Sequence, residues 1–96
     1  MDLNQLRKEH RQKILHLAAQ YGARQIRIFG SVARGQADAQ SDVDFLVDME
    51  PGRSLMDMGG LQMGLQELLG CTVDIVSVKG LRARMKDRIL EEAVLL

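Results

Sequence analysis

The run Val43-Asp44-Phe45-Leu46-Val47 constrains this chain more than any other segment. Past its opening carboxylates it is almost wholly apolar, and Pro51-Gly52 stops it, so residues 43–47 read as a short strand at the centre of a sheet, covered on both faces. Such a strand needs partners on both edges and helices to cover it. Leu3, Leu6, His10, Ile14, Leu17, Ala18 and Tyr21 recur every three or four residues, which predicts an amphipathic helix over 3–20 closed by Gly22. In residues 25–29, Ile26 and Ile28 alternate with Arg27, a strand that stops at Gly30-Ser31. Residues 54–69 place Leu55, Met58, Leu61, Leu65, Leu68 and Leu69 at helical spacing, although Gly59, Gly60 and Gly64 each weaken such a helix by about 1 kcal/mol. Residues 72–78 predict a third strand. Leu81, Met85, Ile89, Ala93 and Leu96 stripe a final helix whose other face is charged. The expectation is an α/β (α+β) fold: one domain over residues 1–96, a small mixed sheet of about three strands flanked by helices.

Connection lengths suggest how the strands pair. About a dozen residues join the first two strands, too few for a parallel crossover with its own helix, so antiparallel pairing is favoured and sets Ser31 beside Asp42. A helix of crossover length joins the second and third, so a right-handed parallel connection brings Asp74 level with Asp44. A small-residue turn and three carboxylates then meet at one edge.

That edge suits phosphate chemistry. Asp42 and Asp44 are two residues apart on a strand and project to one face, where two anions repel unless a cation lies between them. Mg²⁺, which prefers hard oxygen ligands and retained waters, is the usual cation beside triphosphates. With Asp74 added, two ions about 3.5–4 Å apart could be clamped for in-line transfer at an α-phosphate. Gly30 lets backbone approach phosphates, and Ser31 offers a hydroxyl and the free N–H groups of a short helical turn. Arg34 either reaches the triphosphate or pairs on the surface with Asp38 or Asp48.

The ordered pattern of hydrophobic-Gly30-Ser31, ten residues, Asp42-Val43-Asp44-Phe45 and then Val73-Asp74-Ile75 resembles the polymerase-β-type nucleotidyltransferase superfamily. The phrasing of residues 30–35, 41–47 and 81–94 is similar to the minimal nucleotidyltransferase (MNT-domain) proteins, MntA-type antitoxins among them, over nearly the whole chain. The resemblance implies Gly30 and Ser31 as nucleotide-phosphate contacts and Asp42, Asp44 and Asp74 as Mg²⁺ ligands and catalytic carboxylates. It also implies ATP as substrate, a helical HEPN-type toxin as partner, and AMP transfer to a tyrosine of that partner within a type VII-like toxin–antitoxin pair. Larger superfamily members add a helical lobe over the base and the acceptor. A chain of 96 residues has no room for one, so base and acceptor contacts are expected from a partner chain or a second copy.

Composition weighs on the alternatives. Thirteen basic and thirteen acidic side chains cancel, and Tyr21, Phe29 and Phe45 are the sole aromatics, which disfavours an enzyme acting on nucleic acid. A non-catalytic antitoxin that neutralises by contact has no physical reason to concentrate repelling carboxylates. With one cysteine, Cys71, no signal peptide and no apolar run near the roughly 20 residues of a membrane span, the cytoplasm is the expected location. The more ordinary reading of His10, His16, Cys71 and the six methionines is packing or solvated surface, and that of the basic face at Lys79, Arg82 and Lys86 is solvation.

Overall fold

The computed structural model describes residues 1–38 and 40–96. Its four-stranded sheet has the order β3-β2-β1-β4, with β1 at Ala23–Phe29, β2 at Val43–Met49, β3 at Val73–Ser77 and β4 at Val94–Leu95. β2 is central, as its apolar run requires: antiparallel to β1, with Phe29 opposite Asp44 and Ile28 opposite Phe45, and parallel to β3, with Val43 opposite Val73 and Asp44 opposite Asp74.

The first helical segment comprises α1 (Leu3–Gln5), a wide π-type turn (Leu6–His10) and α2 (Arg11–Gln20), with Asp2 capping the Gln5 N–H at 2.7 Å. The wide turn has a packing rationale. Leu6 and Ile14 are both fully buried, yet eight residues on an unbroken α-helix would leave them about 80° apart around the axis. One extra residue in the turn returns both to the core stripe.

The helix α4 (Leu55–Leu69) starts in a capping box, Ser54 Oγ accepting from the Met56 N–H and Asp57 from the Ser54 N–H at 2.9 Å, and ends at left-handed Gly70. Its glycines weaken the helix but serve the packing. A Cβ on Gly60 would lie 2.5 Å from Tyr21 Cε1 and one on Gly64 3.3 Å from Leu17, whereas Gly59 faces open space. Small residues at 60 and 64 therefore let α4 lie close on α2. Together these helices bury one face of the sheet, with Phe45, Val43, Val47, Ile28 and Val73 beneath Ile14, Leu61 and Leu65.

The chain's end corrects the expectation of about three strands. The last helix, α5, spans Ala83–Glu92 and stops short of Leu96; Val94–Leu95 pairs antiparallel with β1 at Ile28 and Arg27, and Leu96 enters the core. Ala93 and Leu96 fit a helical stripe as well as a strand, so periodicity could not separate the two; the open edge of β1 decides for pairing. Among the described residues, no helix is long and apolar enough to cross a membrane.

Candidate active site

β1 delivers the chain to Gly30 at φ +73°, a left-handed conformation that side chains resist, and a Cβ there would also collide with the carboxylate of Asp44. Glycine is therefore demanded twice, by backbone and by neighbour. The short turn α3 (Gly30–Ala33) follows, anchored by buried Val32 and closed by Arg34 N–H to Gly30 C=O at 3.1 Å and Gln36 N–H to Ser31 C=O at 2.9 Å. The first N–H groups of such a turn have no partner within it.

The loop back to β2 is tied by Asp38, whose carboxylate accepts from the Gln40 N–H at 2.8 Å and from Ser41 Oγ at 3.1 Å, while Ser41 Oγ accepts from the Asp38 N–H at 3.0 Å. The Gln40 N–H and the Ser41 hydroxyl hold the Asp38 carboxyl below its usual range. Asp42 then sits exposed just before β2, and the Val43 N–H donates to Thr72 C=O at 3.1 Å, which aligns β2 with the segment leading into β3.

Gly30, Ser31, Arg34, Asp42 and Asp44 thus line one polar hollow of about 410 Å³, joined by Gln40 and Ser41. Asp74 stands beside Asp44 on the neighbouring strand. All six residues singled out in the sequence meet at one end of the sheet. Burial raises the proton affinity of Asp44, and the negative charges of Asp74 and Asp42 and a hydrogen-bonding contact with Asp74 raise it further, with Arg34 opposing. A half-buried carboxylate pressed by two others is an electrostatic deficit that a cation would relieve, and the donor set is all hard oxygen, as Mg²⁺ prefers. Among the described residues no three His, Cys, Asp or Glu side chains are already gathered into a cage.

Arg34 corrects one expectation: its ion-pair partner is Glu92 at 2.5 Å, neither Asp38 nor Asp48. Asp38 is engaged within its own loop and Asp48 pairs with Arg24 at 3.3 Å, while the returning C-terminal segment brings Glu92 across. Arg34 Nε donates to Gln36 at 3.0 Å and Nη1 to Glu92, and the residue also borders the hollow. Sequence reasoning missed Gln40 and Ser41. A Ser one residue before the Asp-x-Asp pair was the available signal for Ser41; Gln40 had none. A separate groove of about 330 Å³ between α2 and the outer edge of β1 contains none of these groups.

The nucleotidyltransferase domain model matches residues 4–96. The chain belongs to this family. A candidate protein adenylyltransferase of Methanocaldococcus jannaschii is 37% identical over 94 residues, covering 98% of this chain and 97% of the relative. The protein adenylyltransferase MntA of Thermococcus cleftensis is 41% identical over 78 residues, covering 81% and 79%. Among solved structures, a candidate minimal nucleotidyltransferase superposes with a TM-score of 0.89 at 49% identity, covering 100% of this chain and 97% of that one. A toxin–antitoxin crystal structure with AMP-PNP shares the nucleotidyltransferase fold, with a TM-score of 0.77 at 20% identity over 90% of this chain and 71% of that one.

Proposed function

We propose that this nucleotidyltransferase is a Mg²⁺-dependent protein adenylyltransferase that moves AMP from ATP to a tyrosine of a helical HEPN-type toxin and so acts as its antitoxin in the cytoplasm. One observation carries the reading: Asp42 and Asp44 line one hollow with the Gly30-Ser31 turn, and Asp74 stands beside Asp44 on the next strand, in a chain whose relatives include proteins named adenylyltransferases. A protein of the same fold has been solved in a toxin–antitoxin structure, which makes a partner toxin the acceptor of choice.

Gly30 admits phosphate oxygens against the backbone, and the Ser31 hydroxyl, the free N–H groups of α3 and the Arg34 guanidinium donate to the β and γ oxygens. Asp42, Asp44 and Asp74 would hold Mg²⁺, which supplies charge neutralisation at the phosphates and acidifies the attacking hydroxyl. The tyrosine oxygen forms a bond to the α-phosphorus, the bond to the α–β bridging oxygen breaks, and pyrophosphate leaves with that electron pair while the hydroxyl proton passes to a site carboxylate. No side chain of this chain becomes covalently attached.

The test is incubation with ATP, Mg²⁺ and the candidate toxin, followed by mass spectrometry for a tyrosine carrying AMP. The expected result is modification by the wild type and none by the Asp42→Asn/Asp44→Asn double variant. Full transfer by that double variant overturns the carboxylate assignment. Neutralisation without any added AMP returns the protein to a contact-only antitoxin.

A further inference from the structure

Arg34 stands where two regions meet. It borders the polar hollow on one side and, on the other, a cleft of about 410 Å³ beneath α5 that is also lined by Arg88 and Glu92. Its long side chain is 48% exposed, and its positive charge is felt at Asp44, in a hollow that holds Asp42 as well. Left to itself, such a group turns to the carboxylates. Arginine–carboxylate pairs are short, strong and often bidentate, and one formed with Asp42 or Asp44 would occupy oxygens that a cation needs.

Two contacts oppose that collapse. Arg34 Nε donates to Gln36, which carries no charge, and Nη1 donates to Glu92 Oε1. The second contact is a choice made by the fold. Glu92 stands four residues after Arg88 on α5, the spacing of a local ion pair, yet Arg88 has no carboxylate partner among the described residues and Glu92 reaches Arg34, 58 residues back. β4 sets its position: Val94 pairs with Ile28, so two residues further along the same register Glu92 comes level with Gly30. The Ala93 N–H donates to Ile89 C=O at 2.8 Å and closes α5 just past it, and the Glu92 side chain is mostly buried.

Resting on the adenylyltransferase reading above, we infer that Glu92 is a positioning residue: it holds the Arg34 guanidinium at the rim of the hollow, off Asp42 and Asp44 and ready for the β and γ phosphate oxygens. It acts through Arg34 and not on the nucleotide itself. The sign of its effect separates this role from plain electrostatics. A carboxylate near a triphosphate repels it, so removing that charge with Arg34 fixed in place would tighten binding. If Glu92 orients Arg34, removing the charge loosens binding instead, because the guanidinium turns to Asp42 and Asp44, leaves the phosphates and competes with the cation.

The test titrates ATP calorimetrically into the full chain over a range of Mg²⁺ concentrations. Glu92→Gln keeps the shape of the side chain and loses its charge; it should weaken ATP about fivefold to tenfold, the scale of one charge-assisted hydrogen bond. It should also raise the Mg²⁺ concentration needed for half-maximal ATP binding, by about threefold, because Arg34 now competes for the carboxylates. Arg34→Ala should weaken ATP at least as much without raising the Mg²⁺ requirement, and adding Glu92→Gln to it should weaken ATP no further. Tighter or unchanged ATP binding by Glu92→Gln overturns the inference. So does a Mg²⁺ requirement that rises alike in both single variants, which would make the pair a mere anchor for α5. Wild-type affinity in Arg34→Ala sinks the inference and spares the adenylyltransferase reading, whereas a wild type that binds no ATP sinks both.

Discussion

The two faces of β2 have opposite fates although their residues alternate along one strand. Val43, Phe45 and Val47 point into the helices and are completely buried, while on the other face Leu46 is buried but Asp44 and Asp48 stay partly exposed, and Asp44 meets two further carboxylates. One face lowers the free energy of the fold by removing apolar area from water. The other raises it at Asp44 by holding like charges together. In so small a chain, stability and chemistry are separated by a single residue step, and substitutions on the two faces should show different phenotypes.

The largest effect is expected on the dry face. Phe45→Ala should cost about 3–5 kcal/mol of unfolding free energy, enough to unfold much of a marginal domain. Urea denaturation measures this, and a loss below about 1 kcal/mol would mean the core is not where the structure puts it.

Next comes Asp44→Asn, which should lower AMP transfer on the order of 10³-fold or more, since several kcal/mol of transition-state stabilisation depend on the site's charge. The same substitution should stabilise the metal-free protein at pH 7. The folded chain holds the Asp44 proton more tightly than the unfolded chain, whose ordinary value is 3.8. Its contribution to stability is therefore complete below that value and is lost as pH rises through the higher folded value, a loss that Asn does not suffer. Melting curves without divalent cations should show the variant above wild type at pH 7, with the gap closing in acid. A lower melting temperature at neutral pH would contradict the repulsion.

Gly30→Ala lies at the boundary of the two regions and should lose about 1–3 kcal/mol through its left-handed backbone alone, before the clash with Asp44 is counted. Nucleotide binding should fall with it. Retention of both affinity and stability would show that the turn does not need this geometry. The smallest effects form a matched pair in α4: Gly60→Ala meets the Tyr21 ring and should destabilise by about 1–3 kcal/mol, while Gly59→Ala enters open space and should stabilise by about 0.5–1 kcal/mol. Thermal melts of the two should therefore bracket wild type.

Much of this architecture is legible in the amino-acid order. The strand at residues 43–47, its two helical covers and the meeting of Gly30, Ser31, Asp42, Asp44 and Asp74 follow from period-two alternation, connection lengths and the conformational needs of glycine, all properties of short stretches of chain. What escapes is decided at long range. Val94–Leu95 is a strand because β1 has a free edge, and Arg34 pairs with Glu92, 58 residues away, over nearer acids. Gly60 and Gly64, which count against a helix by propensity, are explained by the ring and the leucine packed across from them.

The sequence by itself thus determined the kinds of element and the spacing of the phosphate-handling groups, because backbone preference and side-chain alternation act between neighbours. Only the tertiary structure decided the fourth strand, the partner of Arg34 and the cleft beneath α5. Each of these arises where two distant segments are brought together, and local pattern carries no record of that meeting.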